Sequence, residues 1–218
     1  MFSYTNADEV DGLYHVGTLN IANKSDQSHE WNGLSVSNCP DAWRQICGCC
    51  GTTWRLIPDH SDRFLLYHDL DENDMDTIKN WAINTGYFEQ DMEYRVWWHD
   101  DEYDEDRYFV FSRDEYDDAR DEYEFKLEEE YDGVRFEELE NGLKATSQIE
   151  AMSLVKIEPA MYSDIAVLLY AEEKLGCDGV WWEDRYEPYA LSAPRGVIFN
   201  SKVSGFEAVD ANDAEEGF

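Results

Sequence analysis

Hydrophobic and polar positions alternate in short runs over the first third of the chain. The runs GLYHVG (12–17), GLSVS (33–37), TWRLI (53–57) and RFLLYH (63–68) are each bounded by Gly, Asn, Asp or Pro, which predicts short strands closed by turns. After the second run, Pro40 opens PDAWRQI behind Asn38 and Cys39, the pattern of a capped short helix. The period then changes. In DENDMDTIKNWAINTG, Met75, Ile78, Trp81 and Ala82 recur at helical spacing and Gly86 ends the run. In the last third, IEAMSLVKI (149–157) reads as a strand. EPAMYSDIAVLLYAEEKLG reads as a helix with Met161, Ile165, Leu168, Leu169 and Leu175 inward and Gly176 as its stop. DGVWW and RGVIF follow as two more strands. Together these elements predict an α+β domain over residues 1–210 and a frayed tail over 211–218.

The middle of the chain departs from this pattern. YRVWW (94–98) and RYFVF (107–111) read as two strands joined by the acidic turn HDDEYDED. Ser112 and Glu115 form a capping-box pair at the start of a helix whose apolar stripe, Tyr116, Tyr123 and Phe125, is weak. Seventeen carboxylates and four basic residues lie between His99 and Asp132, which predicts an exposed hairpin-helix insertion over about 90–135. Such a charge run is ordinarily a solvated face.

Charge narrows the function classes. Fifty acidic residues against 17 basic ones give a formal charge of −33, while 43% hydrophobic and 15% aromatic content exclude a disordered chain. The charge excludes direct binding to nucleic acid or to an anionic membrane surface. It favours a basic protein surface, in particular that of a DNA-handling host protein. The absence of a long apolar run and an acidic N-terminal segment predict a cytoplasmic protein without membrane contact. Cys47, Cys49 and Cys50 crowd into CGCCG without a second paired knuckle, so buried or turn cysteines are expected rather than a metal site.

Two stretches carry candidate chemistry. His15 precedes the Gly17-Thr18 turn, where a glycine lets a ligand approach backbone amides and the imidazole can bond a ribose hydroxyl. Ser35 and Ser37 alternate onto one strand face, and Trp43 on the next helix offers a ring to stack. A half-buried strand histidine, a polar strand edge and a core tryptophan are the structural alternatives.

The order YH-x-G-T, GL-S-x-S-x-x-P-x-A-W, K-L-G-x-D-G-V and G-V-I-F-N-S-x-V resembles the ADP-ribosyltransferase-like superfamily over about residues 12–45 and 165–205. The late stretch Cys177-Asp178-Gly179-Val180 looks most like phage-associated members. The resemblance implies a split antiparallel β-sheet core gripping NAD, and ADP-ribosyl transfer to a protein by a phage or mobile-element effector. It further implies that His15 positions the ribose, the Gly17-Thr18 backbone holds the carboxamide, and Ser35 and Ser37 shape the pocket with Trp43. Val16 separates His15 from Gly17, and the Ser-x-Ser motif usually accompanies a first-strand arginine. At the position of the family's closing-strand glutamate stands Arg195, whose guanidinium would oppose the cation formed as nicotinamide leaves. The nearest carboxylates are Glu183, Asp184 and Glu187. Along GVWWE, Val180 and Trp182 face one way and Trp181 and Glu183 the other, so Trp181 and Glu183 are expected to share a cleft. Arg195 either takes a pyrophosphate or pairs with Glu187 or Asp184. A second class, a non-enzymatic acidic DNA mimic, follows from carboxylates on adjacent turns of the 112–132 helix, where pairs three or four apart stand about 5–6 Å from each other.

Overall fold

The computed structural model describes residues 1–19, 31–47, 51–153, 157–185 and 193–214. The first four sequence runs form β2 (Leu13–Val16), β3 (Gly33–Val36), β4 (Thr53–Pro58) and β5 (Phe64–Leu66), preceded by a two-residue β1 (Tyr4–Thr5). DGVWW and RGVIF form β9 (Gly179–Trp182) and β10 (Arg195–Phe199). Strands β1-β5-β9-β10-β3 make a five-stranded sheet, and β2 joins β4 and β11 (Phe206–Asp210) in a three-stranded one. The expected all-antiparallel core is corrected at one place: β5 runs parallel to β9. The chain reaches β9 from β5 through more than a hundred residues, so no hairpin constrains their direction. The sequence pattern also missed β11.

The helices follow local signals. α1 (Pro40–Cys47) opens on its proline, and α2 (Glu72–Asn84) is capped by Asp71, whose carboxylate accepts from the Asp74 amide at 2.8 Å. Ile78 and Ala82 are buried, and Gly86 adopts φ +78° beyond the helix, a conformation open to glycine at no steric cost. The 149–157 strand expectation is overturned over its first half. Residues Ser147–Met152 form α4, with Ile149 fully buried, and the Glu150 amide bonds the Thr146 carbonyl at 3.2 Å. Leu154–Lys156 lie outside the described residues. α5 (Tyr162–Leu169) starts behind a 3₁₀ turn at Pro159–Met161 and continues as a π-helical turn, Tyr170–Lys174. Within the 211–218 stretch, Ala211–Ala214 form a short helix, and 215–218 lie outside the described residues.

Two cores sit on opposite faces of the five-stranded sheet. Val180, Trp182, Val197 and Phe199 pack with α2 and α5 residues such as Ile78, Ile165 and Leu168. Trp181 and Ile198 pack on the other side with Leu13, Leu34, Val36, Leu56 and Phe64. The alternation expected along GVWW is therefore present, but both faces are covered.

The acidic middle is larger than the 90–135 insertion expected. β6 (Phe88–Asp100) pairs with β7 (Glu105–Ser112) on one side and with β8 (Arg135–Ala145) on the other, a third sheet of order β7-β6-β8. β8 was not foreseen, because five charged side chains among its eleven residues blur its alternation. α3 (Tyr116–Glu128) follows the Ser112–Glu115 capping box, which is formed as the sequence predicts. Ala119 of α3 packs with Tyr94 and Val96 in a small core of its own, flanked by Met92, Phe111, Tyr123 and Phe136. Phe88 anchors the base of the module in the main core.

Candidate functional site

The strands that carry the superfamily-like motifs are neighbours. A bridge between Tyr14 and Ser37 sets β2 beside β3, and β3 pairs with β10. His15 projects from β2 with Nδ1 2.8 Å from the Ser35 carbonyl and Nε2 3.1 Å from the Thr18 carbonyl. A neutral imidazole carries one N–H, so it donates to one of these carbonyls at a time. Gly17 has φ +120°, its amide bonds the Thr52 carbonyl at 2.9 Å, and its own carbonyl accepts from Trp54 Nε1 at 2.9 Å. Both Gly17 backbone groups thus have partners within the protein, so of the Gly17-Thr18 backbone expected to hold the carboxamide the Gly17 amide is already engaged. Ser37 is likewise closed in: fully buried, it donates to the Pro194 carbonyl at 2.5 Å and accepts from the Cys39 amide at 3.0 Å. Ser35 and Trp43 are half-buried.

At the end of β9, Trp181 does not open onto a cleft among the described residues. Trp181 is 2% exposed in the second core, flat enough against Gly196 that a Cβ there would lie 2.5 Å from the indole. It has no open face on which a nicotinamide or adenine ring could stack. Glu183, by contrast, is exposed. Arg195 stands opposite Trp182 in the β10–β9 register, which places its guanidinium 5.0 Å above the Trp182 ring and its Nε 3.2 Å from Asp184 Oδ2. The Asp184 pairing, one of the alternatives open in the sequence, is formed. Glu187 lies outside the described residues.

Tyr67 and His68, which the sequence did not single out, complete this cluster. The Glu183 amide donates to His68 Nδ1 at 3.1 Å, so the ring proton resides on Nε2, 3.4 Å from Asp184 Oδ1. Tyr67 stacks on Trp182 at 5.4 Å and donates its hydroxyl to Asp164 Oδ1 at 2.6 Å. Burial, then the Asp164 bond, push the Tyr67 hydroxyl well above the usual phenol range. The signal was only an ordinary strand end, YHD, whose partner Asp164 is remote in sequence. A separate open pocket of about 480 Å³ lies between β1, Asp62-Arg63 and Gly176–Asp178. None of the sequence-predicted site residues lines it.

The acidic module offers a different kind of surface. On α3, Ala119 and Lys126 are buried, while Asp117, Asp121, Glu124 and Glu128 fall on the opposite side of the helix at steps of three and four. These four span about 16 Å of helix at about 1.5 Å per residue. Lys126 closes the underside: its ammonium lies 4.1 Å above Trp98 and 4.4 Å above Tyr131, and 3.6 Å from Glu122. Across residues 88–145, 23 carboxylates face seven basic side chains, a formal −16. Yet the surface is not simply hydrophilic. Of thirteen exposed large apolar side chains among the described residues, eight lie between Tyr103 and Tyr131.

No protein-family model matches this chain, and no curated protein or solved structure matches it either. Among the described residues, no helix is long and apolar enough to cross a membrane.

Proposed function

We propose that the protein is a non-enzymatic acidic docking protein whose 88–145 module occupies a basic protein surface, of the kind that otherwise holds DNA. One observation carries this reading: the stretch richest in carboxylates is also the stretch where exposed aromatic and aliphatic side chains concentrate. A solvated charged face needs no such residues. Aromatic anchors ringed by charge are what a protein interface uses, with rings supplying desolvated contact and carboxylates steering the encounter. The α3 carboxylate stripe supplies a phosphate-like array, each contact with a partner lysine or arginine being screened over about 8 Å at physiological salt. The test is capture of partners from host lysate across a salt series. It compares wild type with a variant in which Asp117, Asp121, Glu124 and Glu128 become Asn, Asn, Gln and Gln. Wild-type capture should fall steeply with salt and the neutralised variant should lose it at every salt. Identical partners for both proteins at all salt concentrations would overturn the reading.

A second reading, NAD-dependent ADP-ribosyl transfer to a protein, is favoured by one observation: His15 Nδ1 lies 2.8 Å from the Ser35 backbone carbonyl, so the strands carrying these two motifs are neighbours. In it, Glu183 or Asp184 stabilises the ribosyl cation that forms as neutral nicotinamide departs, and Arg195 opposes that cation. Incubation with labelled NAD and lysate tests it. Asp184→Asn or Glu183→Gln should lower turnover by about a hundredfold, the scale for one electrostatic group in a transition state.

A further inference from the structure

We infer that β7 is a receptor edge for a β-strand donated by the basic partner. This rests on the docking reading and assigns it a contact mode. Among the described residues β7 pairs only with β6, so its other edge presents a row of backbone N–H and C=O groups. Edge strands are normally blunted by lysine, proline, a bulge or inward charge. The opposite edge, β8, follows that rule, with Glu137, Glu138, Glu140 and Lys144 along it and a register irregularity where it meets Gln90 and Met92. β7 does not. Its second half reads Tyr108-Phe109-Val110-Phe111 without charge, and Tyr108, Phe109 and Val110 are 45%, 46% and 53% exposed.

Neighbouring rings already hold this edge in shape. Tyr108 packs on Trp97 with centroids 4.3 Å apart on one face, and Phe109 on Trp98 at 4.7 Å on the other. An added strand would extend both faces, its side chains landing beside Tyr108 and Val110 on one and Phe109 and Phe111 on the other. Charge selects the occupant. Asp101, Glu102, Asp104, Glu105 and Asp106 precede the apolar stretch and Asp114, Glu115, Asp117 and Asp118 follow it, and the two arginines that flank it directly are paired, Arg107 with Asp100 and Glu105 and Arg113 with Glu89. A second copy would set one chain of charge −33 against another. An extended segment with an apolar centre and lysine or arginine at both ends matches the edge and its flanks.

The experiment uses the full chain and three labelled peptides. The first has a Val-Thr-Val-Thr centre between lysine triplets. The second is the same sequence with alternate backbone nitrogens methylated. The third has equal charge with a Gly-Ser centre. Fluorescence anisotropy should show the first binding about tenfold or more tighter than the other two, the scale of one or two lost hydrogen bonds. Hydrogen exchange at β7 amides should slow when it binds. Val110→Lys should remove that preference and Val110→Ile should keep it. Both changes fall on an exposed side chain, so folding is spared. Equal binding of all three peptides, unchanged in Val110→Lys, would overturn the edge-pairing inference while leaving charge-driven docking intact. Binding of none would overturn the docking reading itself. Protection of β7 that grows with protein concentration in the absence of peptide would assign the edge to a second copy and overturn the inference.

Discussion

Truncating Trp181 distinguishes a core tryptophan from a ligand-stacking one. The indole is 2% exposed and shares its core with Leu13, Leu34, Val36, Leu56, Phe64 and Ile198. It lies against the Gly196 backbone, so β9 and β10 cannot close over the space left by its removal without shifting their register contacts. Trp→Ala at such a site costs about 3–5 kcal/mol, the transfer loss plus the cavity. With a urea m-value of about 2 kcal/mol/M, Trp181→Ala should lower the unfolding midpoint by about 2 M, read by circular dichroism. A complementary overpacking variant, Gly196→Ala, forces a Cβ to 2.5 Å from the indole and 2.9 Å from the Val180 carbonyl and should cost about 1–3 kcal/mol. A midpoint nearly unchanged in Trp181→Ala, together with a loss of NAD binding, would refute the burial argument and restore the open cleft.

The remaining predictions concern single groups. Lys126→Met keeps the aliphatic stem but removes a desolvated cation above Trp98 and Tyr131, and should destabilise the protein by about 1–2 kcal/mol in chemical denaturation. Unchanged or raised stability would remove the cage from the account. Hydrogen bonds to Asp59 and then Asp178 raise the pKa of His60 above its ordinary 6.5. That contribution is complete below pH 6.5 and disappears as pH rises through the raised value, so the stability difference between wild type and His60→Gln should shrink on going from pH 6 to pH 9. A constant difference in Tm would contradict it. Hydrogen bonds from the Ser112 amide and then its hydroxyl hold the Glu115 carboxyl below its usual range. Its stabilising contribution is therefore present at neutral pH and lost on acidification through that lowered value. In Ser112→Ala, NMR titration should show the Glu115 pKa moving back upward.

What the sequence disclosed is what local chemistry determines. The Gly86 stop of α2, the Pro40 start of α1 and the Ser112–Glu115 box all act within a few residues, and each is formed. The face assignment along Val180-Trp181-Trp182 held because strand alternation is strict. Whether either face was open depended on elements distant in sequence, so Trp181 was placed on the right face with the wrong neighbour. The alternating run Ile149-x-Ala151-x-Ser153 imitated a strand, but Ile149 alone reaches the core and the backbone closes helical bonds there. β8 was hidden because its carboxylates interrupt the apolar rhythm, and its inward Phe136 makes sense only beside Tyr94 and Tyr123. Lys126 is one of four basic residues in the acidic run, and nothing in the composition set it apart as the buried one. Tyr67 and His68 became visible as a cluster only once Asp164, Trp182 and Asp184 were in place.

The central claim is that the 88–145 module stands in for nucleic acid on a basic protein. The most direct measurement is competition for a captured partner already loaded with labelled duplex DNA, followed by fluorescence anisotropy as this protein is added. The duplex should be released, release should require more protein as salt rises, and the variant neutralised at Asp117, Asp121, Glu124 and Glu128 should release little or none. Stable retention of the duplex at saturating wild-type protein, or equal release by the neutralised variant, would contradict the account.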